Sequence, residues 1–401
     1  MKPFGALLAY GAARSIVEAS IKPITRVETV NIDEASGRVL AETVVASLSI
    51  PSFDRAALDG YAVKVKDVFG ADQRNPKILK VVGELHAGET PKTAIKAGEC
   101  HQIATGGMMP RGAGAVVMVE DTEVSDGKVE VFKSVYPKAN VSQKGEDIKE
   151  GETILKTGIV LDPGKIGALA TQGLTKVRVY AKPKVAILPS GEEVSELGKK
   201  LKRGGVYDVN SHTIASVVRA HGGLPVIFGV TRDNPEEIKI RISQALSSDL
   251  VVTSGGSSVG ERDLLVDVLH GWGEILFHGI QVKPGQPTFF AMVQGKPLFG
   301  MPGYPTSCLV ISYLFLLSAI RKMAHLPPKL GGTVVTKLAH RVSGGVGRRQ
   351  FLTVRIEGDE AISVSKGSGS ITSVAEADGY IEIPENINLL EKGETVTVTL
   401  F

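Results

Sequence analysis

From Lys184 onward the sequence alternates uninterrupted apolar runs with helix-length segments, and few folds tolerate that rhythm. The runs are Val185-Ala186-Ile187-Leu188, Pro225 to Val230 and Leu250-Val251-Val252-Thr253; helical spacing fills Ser211 to Ala220, Pro235 to Leu246 and Asp263 to Leu269. A strand that is apolar on both faces must be covered on both faces, the condition of a parallel sheet lying between helices. The segment is therefore expected to be an α/β domain. A helix from about Thr306 to Ala324 and the break at Pro327-Pro328 close it.

The flanks have other periods. Residues 3 to 20 place Phe4, Leu7, Leu8, Ile16 and Val17 at helical spacing, and Lys22-Pro23 ends that segment. From about 24 to 180 come short runs rich in Val, Ile and Thr, such as Ile78 to Val82 and Ala115 to Val119, cut by Gly, Pro and Asp turns. After residue 327 the β pattern returns and finishes in Glu394 to Leu400, which alternates strictly, so a small barrel or sandwich is expected there. With 401 residues the chain exceeds the roughly 250–300 that one core supports, so several domains are expected.

Composition excludes several classes. The balance of 46 basic and 43 acidic residues leaves +3, which gives no general attraction to nucleic acid or to an acidic membrane, so any anion site has to be built locally. Cys100 and Cys308 are far apart and have no Cys or His neighbours at metal spacing, which argues against a disulfide framework and a structural zinc site. Arg14 and Glu18 interrupt the N-terminal apolar stretch, as suits an amphipathic helix rather than a signal peptide. The most apolar run, Cys308 to Ile320, falls short of the about 20 residues that span a bilayer. A cytoplasmic protein with a small-molecule substrate, no nucleic acid and no membrane is expected.

In an open α/β sheet, ligands bind beyond the carboxyl ends of the strands. Pro189-Ser190-Gly191-Glu192-Glu193 follows the first apolar run, and its acidic pair is either a helix-start charge or part of a site. Thr253 to Asp263 reads TSGGSSVGERD: Ser254, Gly255, Gly256, Ser257, Ser258 and Gly260 could bring amide and hydroxyl donors around an anion, with Glu261 and Asp263 beside a hydrated Mg²⁺. The loop has neither the lysine of a P-loop nor the spacing of a dinucleotide fingerprint. Lys283-Pro284-Gly285-Gln286-Pro287 and Gly300-Met301-Pro302-Gly303-Tyr304-Pro305 read as rigid turns, with Lys283 a cation facing an anionic ligand. Asp233 precedes Asn234-Pro235 and is expected to cap the following helix, yet it shares the sheet edge with Glu192 and Asp263, a plausible metal site. His101 is expected to be structural.

These motifs, together with SFDRAALDGYAV at 52–63, ATGGMMPRGAGAVVMVED at 104–121, GRRQF at 347–351 and GSGSITSVAEADGYI at 367–381, resemble the molybdopterin molybdenumtransferase family, MoeA and the E-domain of gephyrin, over essentially the whole chain. The resemblance implies a multidomain α/β plus β fold. Residues 1–23 would form a helix packing on the α/β domain, and 24–50 with 140–180 an elongated linker domain. A β-rich domain would occupy 51–139, a molybdopterin-binding-type α/β domain with a central parallel sheet 181–326, and a small C-terminal β-barrel 327–401. It implies insertion of molybdate or tungstate into adenylylated molybdopterin with Mg²⁺-dependent release of AMP, and possible contact with the molybdopterin adenylyltransferase.

By motif position the family's functional residues fall on Asp59, Thr105, Glu192, Asp233, Asp263, Lys283, Pro302, Pro305, Arg348 or Arg349, and Ser368 or Ser370. The resemblance also implies a homodimer whose active site is shared between subunits. Asp59 would then come from the partner, as base or positioner, with Gly60 permitting the turn that presents it and Asp54 a structural charge. Tyr304 departs from the family by standing where many relatives carry Asn, and Gly279 and Gln286 stand where some carry lysines. Taken alone, the α/β domain would also suit a CinA-like nucleotide pyrophosphatase or a molybdopterin-binding or scaffold protein. Segment 52–63 and the C-terminal domain favour the transferase.

Overall fold

The computed structural model describes residues 6–255, 264–329, 331–345 and 347–401. The chain divides into two units, one formed by Thr29–Ser36 with Leu40–Arg178, the other by Met1–Glu28, Gly37–Val39 and Val179–Phe401.

The first unit is built on a six-stranded sheet of β1 (Gly60–Val63), β2 (Lys77–Leu85), β3 (Glu99–Ile103), β4 (Ala115–Met118), β5 (Thr122–Ser125) and β6 (Lys128–Val131), in the order β4-β1-β3-β2-β6-β5. Its core gathers Tyr61, Val63, Leu79, Cys100, Val117 and Val129. His101, next along β3, is also buried, beside the Thr93 hydroxyl at 3.4 Å.

In the second unit, helix α1 (Tyr10–Ser20) buries Ala13 and Val17; it starts later than the spacing from residue 3 suggests, because Leu8 bridges to Ile280 instead of coiling. The central sheet consists of β7 (Lys184–Pro189), β8 (Leu224–Ile227), β9 (Leu250–Ser254), β10 (Gly273–His278), β12 (Phe289–Val293) and β13 (Lys296–Met301), with the two-residue β11 (Val282–Lys283) lying outside it. The order is β8-β7-β9-β13-β12-β10. The first four strands are parallel and the last two antiparallel, so an antiparallel pair extends the expected parallel sheet.

The apolar runs that define the sequence divide between two cores. Val185, Ile187, Leu250 and Val252 face one side, with α1 and helix α2 (Asn210–Ala220); Ala186, Leu188 and Val251 face the other, with α3 (Pro235–Ala245) and α4 (Leu264–Leu269). A strand's period of two thus sends alternate residues to opposite cores, and each fully buried Val, Leu or Ile contributes about 1.5–3 kcal/mol. The helical stretch Pro305–Met323 runs 19 residues at a mean hydropathy of 1.4, longer than the apolar run in the sequence suggests and long enough to cross a membrane. In this fold 78% of it is buried, with Cys308, Ile311, Phe315 and Ile320 inside the first core.

The C-terminal strands β14 (Thr333–Leu338), β15 (Arg349–Glu357), β16 (Glu360–Ser363), β17 (Gly379–Ile383) and β18 (Thr395–Leu400) close on themselves in the order β15-β16-β14-β18-β17-β15, a barrel around Leu338, Leu352, Val354, Ile381 and Val398. Strand β11 joins its edge in parallel, pairing Val282 with Arg349 and Lys283 with Gln350.

Candidate active site

A cavity of about 1720 Å³ lies in the second unit, between the carboxyl edge of the central sheet and the barrel. Three strand ends build one wall. Ser190 N–H donates to the Ser254 carbonyl (2.8 Å) and Gly255 N–H to the Met301 carbonyl (3.4 Å), so the turns after β7, β9 and β13 meet. Gly255 has φ +90°, and a Cβ there would stand 2.3 Å from the Ser190 carbonyl oxygen; the loops come this close because that residue has no side chain. Ser254 and Gly255 line the cavity, as do Pro302 and Pro305. Gly256, Ser257, Ser258, Gly260, Glu261 and Asp263 lie outside the described residues.

The opposite wall carries the cations. Lys283 on β11 and Arg348 just before β15 both line the cavity, and Arg348 Nη1 donates to Gln286 Oε1 (2.8 Å). Arg349, the other arginine of the motif, faces elsewhere. It pairs with Glu382 (2.7 Å) and Glu385 (3.1 Å) and sits 5.6 Å from the centre of the Tyr10 ring. The geometry thus separates the two arginines: Arg348 sits in the bend before the strand and lines the cavity, whereas Arg349, the first residue of β15, is held by the two glutamates. The serines are separated too. Ser368 lines the cavity and its carbonyl accepts Thr306 N–H (3.2 Å), whereas Ser370 is not among the lining residues and its carbonyl accepts the Thr306 hydroxyl (2.7 Å) and the Ser373 amide (2.9 Å).

The acidic residues are arranged differently from the sequence expectation. The Glu192-Glu193 pair leads into the short strand Val194–Ser195, so a helix-start role is removed, and Glu193 rather than Glu192 lines the cavity. Asn234, not Asp233, caps α3: its Oδ1 accepts the amides of Glu236 (3.0 Å) and Glu237 (3.1 Å). Asp233 is left free of capping. Burial first, then the charges of Glu193 and Glu192, push its carboxyl above the ordinary range. Glu192, Glu193 and Asp233 make no ion pair to a base among the described residues. Among the described residues no three His, Cys, Asp or Glu side chains form a group that could hold a metal ion.

In the first unit Asp59 lies at the end of the loop before β1. Its Oδ1 accepts both the backbone amide of Thr105 (2.6 Å) and the Thr105 hydroxyl (2.8 Å). The amide first, then the hydroxyl, hold the carboxyl below its usual range. Gly60 serves strand contact rather than the turn: a Cβ there would meet the Val117 carbonyl oxygen at 1.9 Å. Asp54 accepts the Lys144 amide (2.7 Å), a structural use. Asp208 and Asn210, both buried and both lining the cavity, were not singled out by the sequence motifs. Their only signal is local, an Asp three residues before Ser211 whose amide it caps (3.0 Å).

An α/β domain with its cavity at the sheet edge, a closed barrel facing that edge and a separate β-rich unit define a multidomain α/β plus β protein with a ligand cavity at the sheet edge. Residues 186–322 match the family model described as a probable molybdopterin binding domain; 8–173 match the MoeA N-terminal region (domain I and II), and 336–401 the MoeA C-terminal region (domain IV). The molybdopterin molybdenumtransferase of Haemophilus influenzae is 31% identical, over 98% of this chain and 99% of its own. A putative molybdopterin biosynthesis protein of Methanocaldococcus jannaschii is 36% identical, over 94% and 92%. The crystal structure of the molybdopterin biosynthesis MoeA protein from Pyrococcus horikoshii is 40% identical with a TM-score of 0.86, covering 98% of this chain and 99% of that one. The chain belongs to the MoeA family of molybdopterin molybdenumtransferases, enzymes of molybdenum cofactor biosynthesis.

Proposed function

We propose that the protein inserts molybdate, or tungstate, into the dithiolene of adenylylated molybdopterin, with Mg²⁺-dependent cleavage of the adenylyl phosphoanhydride and release of AMP. The observation that carries this reading is the pairing, in one cavity, of a wall of strand-end turns with a wall bearing Lys283 and Arg348. The turns bring the serines Ser190, Ser254 and Ser307 to the cavity, whose hydroxyls would serve as donors to phosphate. The cations suit an oxyanion, Arg348 by directed N–H donors and Lys283 as a point charge.

Glu192, Glu193 and Asp233, with Asp263, would hold Mg²⁺; bound there it supplies Lewis-acid polarisation of the scissile phosphate. Lys283 offsets charge developing on the leaving side. Asp59, held ionised by Thr105, is a weakened proton acceptor, which favours positioning over general-base work. In this reading the active form is a homodimer, and Asp59 of each subunit completes the cavity of the other.

The test is purified protein with adenylylated molybdopterin and Mg²⁺, scored for AMP release with molybdate, with tungstate and with neither. Oxyanion-dependent release is expected; release unaffected by either oxyanion sinks the reading. Mixing Asp59→Ala with Lys283→Ala subunits tests the shared site, since heterodimers should regain about a quarter to a half of the sites and zero recovery in confirmed heterodimers refutes it.

A further inference from the structure

The charge of this chain is not spread evenly along it. Segment 196–205, Glu-Leu-Gly-Lys-Lys-Leu-Lys-Arg-Gly-Gly, sets Lys199, Lys200, Lys202 and Arg203 against Glu196, a net of +3, and +3 is the net charge of all 401 residues. The rest of the chain therefore balances, and its net attraction for anions has one source.

The fold stands this segment beside the cavity. Val194–Ser195 and Val206–Tyr207 pair in parallel, so the residues between them cannot close as a hairpin and must arch outward to return. Three bonds set the arch: Lys199 N–H donates to the Glu196 carbonyl (3.3 Å), Gly205 N–H to the Lys202 carbonyl (2.9 Å) and the Tyr207 hydroxyl to the Lys199 carbonyl (3.2 Å). Both feet of the arch line the cavity, through Val194 and Val206, and so does Leu201 in its middle.

The four cations are of two kinds. Lys199 Nζ lies 2.8 Å from the Glu196 carboxylate and is neutralised in place. Lys200, Lys202 and Arg203 are exposed, make no ion pair among the described residues and do not line the cavity. Lys200 and Lys202 flank Leu201, each one Cα step of about 3.8 Å away, so their charge stands at the mouth without reaching the walls that bind. A charge run that served solubility alone would work from any face, whereas this one concentrates the chain's whole excess at one opening.

We propose that the 196–205 arch gathers anions for the cavity: Lys200, Lys202 and Arg203 raise the local concentration of the negatively charged substrates at the mouth, and act on capture but not on the chemical step. The inference rests on the function proposed above, in which both substrates, the oxyanion and the phosphate-bearing pterin, are anions. Its physical signature is distance. Contacts inside a cavity are weakly screened, but a field acting across solvent extends about 30 Å at 0.01 M ionic strength and about 3 Å at 1 M.

The experiment follows association of N-methylanthraniloyl-AMP and N-methylanthraniloyl-ADP with the full-length protein by stopped-flow fluorescence, at about 0.01 M and about 1 M ionic strength. The variant carries Lys200→Gln, Lys202→Gln and Arg203→Gln together. The control carries Lys182→Gln, Lys184→Gln and Lys296→Gln, which remove the same charge near the amino ends of β7 and β13, the sheet edge away from the cavity. At low salt the variant should associate about 10-fold more slowly than wild type, with a larger deficit for the ADP analogue, and at high salt the difference should close. The control should keep the wild-type rate. Equal rates in wild type and variant at low salt, as a loop serving only an acidic macromolecule would give, overturn the proposal. So do a deficit that survives high salt, an equal deficit in the control, or a wild type that takes up neither analogue. Oxyanion-dependent AMP release, run alongside at low salt, keeps the two readings apart: the variant should show a raised KM for adenylylated molybdopterin at unchanged kcat. A wild type that releases no AMP but keeps its salt-sensitive association overturns the function alone; normal release with no difference between wild type and variant overturns the gathering role alone.

Discussion

Replacing Gly255 by Ala tests how the cavity is made. Two costs add at that position. At φ +90° a side chain is strained by about 1–3 kcal/mol, and the new Cβ would stand 2.3 Å from the Ser190 carbonyl oxygen and 3.3 Å from its carbon. A backbone neighbour cannot swing aside as a side chain can. The β7 and β9 turns must therefore separate, at an overpacking cost of about 1–3 kcal/mol. Gly295→Ala is the control, because Gly295 has φ +74° with nothing within 4 Å, so strain alone applies. Trp272, the chain's one tryptophan, lies in the same unit and packs against the second core, so its fluorescence follows unfolding of the α/β domain in urea. Gly255→Ala is expected to lose about 2–6 kcal/mol and Gly295→Ala about 1–3, with the former also losing AMP release under conditions where it is folded. Equal destabilisation, or a folded Gly255→Ala of normal activity, would refute the claim that the glycine sets the loop approach.

Arg348→Ala should raise the KM for molybdate with little change in stability, whereas Arg349→Ala should lower stability by about 1–2 kcal/mol and leave that KM alone, read by steady-state kinetics and urea melts. Thr105→Val removes the hydroxyl bond to Asp59 but keeps the amide bond, so the Asp59 pKa rises and the acid limb of the rate profile should move to higher pH. Asp233→Asn should stabilise the metal-free protein, because its carboxyl is held above the ordinary range by burial and by Glu193 and Glu192, while weakening Mg²⁺ binding measured by calorimetry. For His221, burial first, then Arg321 and Lys329, depress the pKa from 6.5 to about 4. The unfolded chain takes up a proton below pH 6.5 that the fold refuses, so stability should fall between pH 6.5 and about 4, by up to about 3 kcal/mol, and His221→Gln should flatten that fall in melts across pH.

The sequence by itself determined the architecture. Apolar runs such as Val185 to Leu188 have only one stable use, between two helical layers, and their alternate residues do divide between two cores. The turn chemistry at Ser254-Gly255 and Lys283 to Pro287 marked the sheet edge, because glycine and proline declare backbone geometry locally. The antiparallel extension by β12 and β10 was not legible, since apolar runs carry no direction. Nor was the choice between neighbours. Arg348 and Arg349 are chemically identical and adjacent, and only the pairing of β11 with β15 decides which faces the cavity. Asp233 reads in the sequence as a helix cap, but Asn234 does that work and leaves the Asp233 carboxyl outside the cap. Asp208 and Asn210 carry no motif at all: their burial depends on the Gly303 turn about ninety residues onward, a contact that exists only once the chain is folded. Fold class follows from periodicity, which is local, whereas the identity of a site follows from which side chains end up sharing one volume, which only tertiary packing decides.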